Sequence, residues 1–243
     1  MKNLTRWYST RLQQEVSLCR WGHYGQPVLL FPTAGGDAEE VERMHLIAAI
    51  TPLIEAGRVK VYSMDSVAGR ALAEQQGSVE FRCWLLKQTG EYVVNEVLPA
   101  IIADCGGESV EPITAGASIG AFNAVAMLCR YPHLFKAAIG MSGTYDLESL
   151  MSFQGNEDYY LSAPLKFLPQ LHDDALLSAL RSRFVVLPFG QGRWENPDES
   201  WQIASVLGER GVPNRADAWS TDHHHDWATW REMLPHYLEE LTS

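Results

Sequence analysis

Residues 111–130 read EPITAGASIGAFNAVAMLCR, and the fold follows from this stretch. Residues 111–117 form a short apolar run of the kind that makes a buried strand, and residues 119–130 are Ala-rich with helical character. Between the two segments, Gly116 and Gly120 stand two places either side of Ser118. Glycines there let the chain turn sharply from strand to helix without a Cβ clash, leaving the serine hydroxyl exposed at the tip of an elbow. Gly-x-Ser-x-Gly alone is a weak signal. A strand running in and a helix running out make it specific, and Ser118 becomes the candidate nucleophile.

The same alternation extends in both directions. Upstream, residues 27–32 (PVLLFP) form a continuously apolar strand, followed by TAGGD and a helical stretch over 38–56. A strand over 58–64 and a long helix over 81–103 come next. Downstream, strands are expected over 135–141, 184–189 and 215–219, with helices over 198–210 and from residue 226. Two earlier segments, 4–9 and 15–21, read as a hairpin at one sheet edge. Strands and helices taking turns in this way predict parallel βαβ units in a three-layer α/β/α sandwich, with one domain over residues 1–243. Residues 144–182 break the rhythm and are too long for a plain loop. Their place in the chain predicts a small helical cap over the C-terminal edge of the sheet, where open α/β sheets bind ligands.

The chain has 243 residues, 46% hydrophobic and 20% charged, and a formal charge of -11. These fractions exclude a disordered or collagen-like chain, and the acidic balance disfavours nucleic acid and anionic membrane as partners. Cys19, Cys83, Cys105 and Cys129 form no CxxC pair, and the N-terminus lacks the apolar segment of a signal peptide. The expectation is a cytoplasmic protein with reduced, mostly buried thiols.

A serine needs a neighbouring base, and a histidine from a later loop of the same sheet edge should supply it. His23, His45, His133, His172 and His236 precede the elbow or lie in predicted helices, helix starts or the 144–182 segment. The junction after Trp219 carries Asp222-His223-His224-His225-Asp226-Trp227. Consecutive side chains diverge and make a poor metal site, so no metal is expected. His225 directly precedes the final helix and is the preferred base. The acid that orients it should follow the strand over 184–189, where GQGRWENPDES offers Glu195 and Asp198. Asp198 falls where a helix begins and can serve the helix start instead, which favours Glu195. The oxyanion donors should be the N–H of Ile119 and an N–H from the Thr33-Ala34-Gly35-Gly36 loop, at Ala34 or Gly35. Tyr145, Phe153, Tyr159, Tyr160 and Trp194 are candidate pocket-lining residues.

With these parts in place, the sequence resembles the putative-esterase (esterase D-like) family of the α/β-hydrolase superfamily over nearly its whole length. The resemblance rests on VLLFPTAGG, on AGASIGAFNAVAMLCRYPHLFKAAIGMSGTYD and on HDWATWREMLPHYL. Members carry a catalytic histidine followed by Asp-Trp and a helix beginning xxW, which maps the base onto His225. Their Gly-x-Trp-Asp/Glu loop maps the acid onto Glu195, here with Glu where Asp is commoner. The resemblance implies an α/β-hydrolase fold and a cofactor-free serine carboxylesterase that acts through an acyl-enzyme on a small-molecule ester. Homo-oligomerisation is left open. A silent scaffold binding an ester-like or carbohydrate ligand, an acyltransferase and a thioesterase are the alternative readings.

Overall fold

The structure is a computed structural model that describes residues 1–107, 109–148 and 156–243. Eight strands form one sheet: β1 (Lys2–Ser9), β2 (Gln14–Trp21), β3 (Gln26–Phe31), β4 (Val59–Met64), β5 (Ile113–Ala117), β6 (Ala137–Met141), β7 (Phe184–Phe189) and β8 (Asn214–Ala218). Their order is β1-β2-β4-β3-β5-β6-β7-β8. The β1–β2 hairpin is antiparallel and joins β4 antiparallel, and from β4 to β8 every pairing is parallel. This is the mostly parallel sheet of the α/β class, with the predicted hairpin at its edge.

Alternation along the inner strands divides the core in two, because successive side chains point to opposite faces. Val28, Leu30, Val61, Ile113, Ala115, Ile139 and Met141 face one helical layer. That layer consists of α1 (Glu40–Arg43), α2 (Leu46–Ala49), α3 (Thr51–Glu55) and, at the end of the chain, Trp227–Leu241. Leu29, Phe31, Tyr62, Met64, Ala138 and Leu187 face the other. It is built from α4 (Val67–Ala73), α5 (Val79–Tyr92), α6 (Leu98–Asp104), α7 (Ile119–Arg130) and the helices between β6 and β8. Strands β4, β5 and β6 are buried at every position, which explains their largely apolar sequences, although the polar Lys60, Ser63 and Thr114 are buried with them.

Two expectations are corrected. The helical stretch over 38–56 is three short helices rather than one. His45 adopts φ 62° between the first two, and Pro52 lies in the first turn of the third, where a missing N–H costs nothing. The long helix over 81–103 begins earlier, at the Ser78 cap whose hydroxyl accepts from Phe81 N, and passes through a π-turn at Val93–Val97 before α6. Pro99 explains the turn, since it has no N–H to continue the ladder.

After β6 the described chain forms α8 (Glu157–Ser162), α9 (Pro164–Phe167), a 3-10 turn at Leu168–Gln170 and α10 (Asp174–Arg181). Tyr159, Leu168 and Leu180 from this segment are buried in the core that includes α5 and α7. The last two helices are α11 (Pro197–Glu209) and α12 (Trp227–Leu241). Among the described residues, no helix is long and apolar enough to cross a membrane.

Candidate active site

In a parallel sheet the loops that leave the strands all emerge at one edge, and here they converge. The elbow is strained: Ser118 has φ 57° and ψ −123°, between the last residue of β5 and the first of α7. A non-glycine residue held there costs about 1–3 kcal/mol, which the surroundings must supply. They do so through close packing. A Cβ on Gly116 would lie 2.3 Å from the Gly120 carbonyl, and one on Gly120 would lie 2.3 Å from Phe31 O. Ser118 N donates to Met141 O at 3.0 Å, and Thr144 N donates to Ser118 O at 3.3 Å, so the loop after β6 holds the elbow from the side. Ile119 opens the twelve-residue helix α7, where the leading N–H groups have no carbonyl partner within the helix.

The loop after β3 approaches the same edge. Gly36 N donates to Thr33 O at 3.1 Å, and Thr33 gives its N–H and hydroxyl to Glu40. Ala34 is half-buried with its backbone against Gly69 of α4, whereas Gly35 is exposed with open space where a Cβ would be.

Of the two candidate acids, the structure brings Glu195 to the histidine. Its carboxylate is 1% exposed, and its Oε2 lies 3.8 Å from His225 Nδ1. Its Oε1 accepts from Ser142 Oγ at 2.6 Å and from Gly190 N at 3.1 Å. Asp198 is exposed in the first turn of α11, where an acid suits the helix N-terminus.

The three consecutive histidines diverge, each to its own partner. His223 lies 2.9 Å from Ser220 Oγ and packs edge-on against Trp219. His224 Nδ1 accepts from Arg193 N at 3.0 Å. His225 N donates to Arg193 O at 3.0 Å, and its ring packs edge-on against Trp230 at 5.2 Å. Asp226 caps α12 by accepting from Thr229 N, which occupies the carboxylate nearest to His225 in sequence. With Nδ1 facing Glu195, Nε2 is the nitrogen of His225 suited to act as a base.

The pocket-lining expectations divide differently. Tyr145 and Tyr159 are 0% and 1% exposed, so they are core residues and offer a ligand no surface. Tyr145 donates its hydroxyl to Gly140 O, and burial pushes both phenols up from their ordinary pKa. Tyr160 lines a cleft of about 470 Å³ with Tyr131, Phe167 and Leu171, a cleft that Ser118, Glu195 and His225 do not border. Trp194 is 79% exposed, adopts φ 62° and directly precedes Glu195. Phe153 lies outside the described residues.

Three further residues shape the site. Glu199 accepts from Tyr145 N at 2.7 Å and Asp146 N at 2.8 Å, which pins the loop after β6. Ser142 touches Glu195, and Trp230 donates its indole N–H to Ser142 Oγ at 3.0 Å. Only the Ser142-Gly143 pair after an apolar strand hints at a turn in the sequence. Nothing local says where its hydroxyl points.

Comparison with known proteins bears on the family and the fold. The family model described as "Putative esterase" matches residues 38–241. The chain belongs to that family, and with its mostly parallel eight-stranded sheet it is a carboxylic ester hydrolase of the α/β-hydrolase class. No curated protein matches the sequence. Among solved structures, a ferulic acid esterase superposes with a TM-score of 0.74 at 16% identity, covering 100% of this chain and 97% of that one. An S-formylglutathione hydrolase from Agrobacterium tumefaciens gives 0.71 at 12% identity, covering 99% and 94%. The fluorophosphonate-binding serine hydrolase F of Staphylococcus aureus gives 0.68 at 13% identity, covering 100% and 98%. At these identities the likeness is one of fold.

Proposed function

We propose that the protein is a serine carboxylesterase acting on small carboxylic esters, sugar- or aryl-linked ones included, with Ser118, His225 and Glu195 as its catalytic residues. The observation that carries this reading is the strained Ser118 elbow on the sheet edge where the buried Glu195 carboxylate faces His225 Nδ1. His225 Nε2 takes the Ser118 proton as Oγ attacks the ester carbonyl. The N–H of Ile119 and that of Ala34 or Gly35 stabilise the oxyanion. Collapse of the tetrahedral intermediate breaks the bond to the alcohol, which leaves with the proton held by His225. Water, deprotonated by His225, then attacks the acyl-serine and releases the acid with Ser118 restored. Glu195 remains ionised and stabilises the imidazolium in both halves.

The test is labelling with a fluorophosphonate probe together with hydrolysis of p-nitrophenyl acetate, butyrate and octanoate, for the wild type and Ser118→Ala. Stoichiometric labelling that disappears in the variant, with turnover falling along the chain-length series, is the expected result. Wild-type turnover by Ser118→Ala overturns the assignment. A folded wild type that neither labels nor hydrolyses any of these esters points instead to a silent scaffold.

A further inference from the structure

Glu195 is oriented by a contact that lies outside the Ser-His-acid set. Its 1% exposed carboxylate must be compensated inside the protein, because a buried charge is stable only when hydrogen-bonded. Gly190 N supplies one donor to Oε1 and Ser142 Oγ supplies the other. Ser142 stands directly after β6 with φ 45°, a left-handed conformation that would suit glycine better. Its N–H donates to Pro188 O at 2.8 Å, fixing the residue between β6 and β7.

The direction of the hydrogen bonds is determined by the groups themselves. An indole N–H can only donate, so at 3.0 Å from Trp230 Nε1 the Ser142 oxygen accepts. An ionised carboxylate can only accept, so the one hydroxyl hydrogen of Ser142 points to Glu195 Oε1. This leaves Oε2 for His225 Nδ1. Trp230 is 3% exposed, and its ring also packs edge-on against His225. One side chain therefore contacts the histidine directly and its acid through Ser142.

We propose that Trp230 and Ser142 form a positioning relay, indole N–H to hydroxyl to carboxylate, that keeps Glu195 aimed at His225. The proposal rests on the Ser118–His225–Glu195 reading. Both are positioning residues: neither touches the reacting atoms. Losing the Ser142 donor leaves Oε1 with the Gly190 N–H and lets the carboxylate turn away from His225 Nδ1.

The experiment compares Ser142→Gly, Trp230→Phe, the double variant and Ser118→Ala, with p-nitrophenyl butyrate hydrolysis across pH and thermal melting of each. Ser142→Gly removes the hydroxyl and relaxes the backbone, and Trp230→Phe keeps a ring against His225 while removing the donor. The expected result is a fall in kcat of about 10–100-fold in each single variant, the size typical for partners that orient a functional ligand. Little change in KM should accompany it. The double variant should resemble the worse single one, since both cut the same chain. If either folded single variant keeps the wild-type kcat, or if the two losses multiply, the relay is wrong. Inactive Ser118→Ala alongside unaffected relay variants removes only the relay. Active Ser118→Ala removes both readings.

Discussion

Gly120, in the first turn of α7, is packed so tightly against Phe31, the last residue of β3, that a Cβ on the glycine would lie 2.3 Å from the Phe31 carbonyl oxygen. Pro32 O would lie 2.7 Å away. Both obstacles are backbone, so neither can rotate aside. The contact joins the elbow to the strand that leads into the Ala34–Gly35 loop.

Gly120→Ala should therefore push α7 away from β3 and carry Ser118 with it. We expect a loss of stability of about 1–3 kcal/mol, the usual cost of overpacking a tight core. A displacement of roughly 1 Å at the nucleophile should lower kcat/KM by about 100-fold. Thermal melting and p-nitrophenyl ester turnover on the same sample check both effects.

Glu195 and Asp198 should separate cleanly. Glu195→Gln removes the charge facing His225 and should lower kcat by about 10²–10⁴-fold. Asp198→Asn, altering an exposed acid in the first turn of α11, should leave turnover within about twofold, since surface changes of this kind rarely exceed ±0.5 kcal/mol.

A third prediction concerns stability at the other end of the sheet. Asp104, the last residue of α6, accepts from Tyr62 hydroxyl and from Lys60 Nζ, both at 2.7 Å, with Arg20 Nε at 3.5 Å. Burial opposes its ionisation, but the Lys60 and Tyr62 hydrogen bonds and the Arg20 charge outweigh that and hold its pKa below the ordinary carboxyl value. A depressed acid contributes stability above its unfolded pKa and loses it as pH falls through the folded one. Asp104→Asn should cost roughly 1–3 kcal/mol at pH 7, because Lys60 is left buried without its anion. The gap to wild type should narrow below about pH 4, where the unfolded carboxyl takes up its proton. Denaturant melts at pH 7 and pH 3.5 measure it.

Much of the candidate site's geometry was legible because its signals are local. Gly116 and Gly120 report an elbow through their own sterics, and the strand and helix beside them are visible in residue type. His225 stood out because it sits directly before the final helix. The aromatic residues misled, since Tyr145 and Tyr159 have the same side chain whether they line a pocket or fill a core. They fill the core because α5 and α7 leave apolar surface that the chain after β6 must cover. The helix expected over 38–56 failed for a local reason, the left-handed turn at His45, which residue periodicity does not register.

By itself the sequence determined the parallel α/β sheet, the strained serine and the histidine at its edge. Each depends on backbone sterics or on apolar periodicity within some twenty residues. Only the tertiary structure decided that Glu195 rather than Asp198 faces His225, and that Ser142 and Trp230 hold that carboxylate. Those contacts join loops after β6 and β7 to the helix after β8, segments far apart in the chain. Their meeting depends on strand order and packing, which no local pattern encodes.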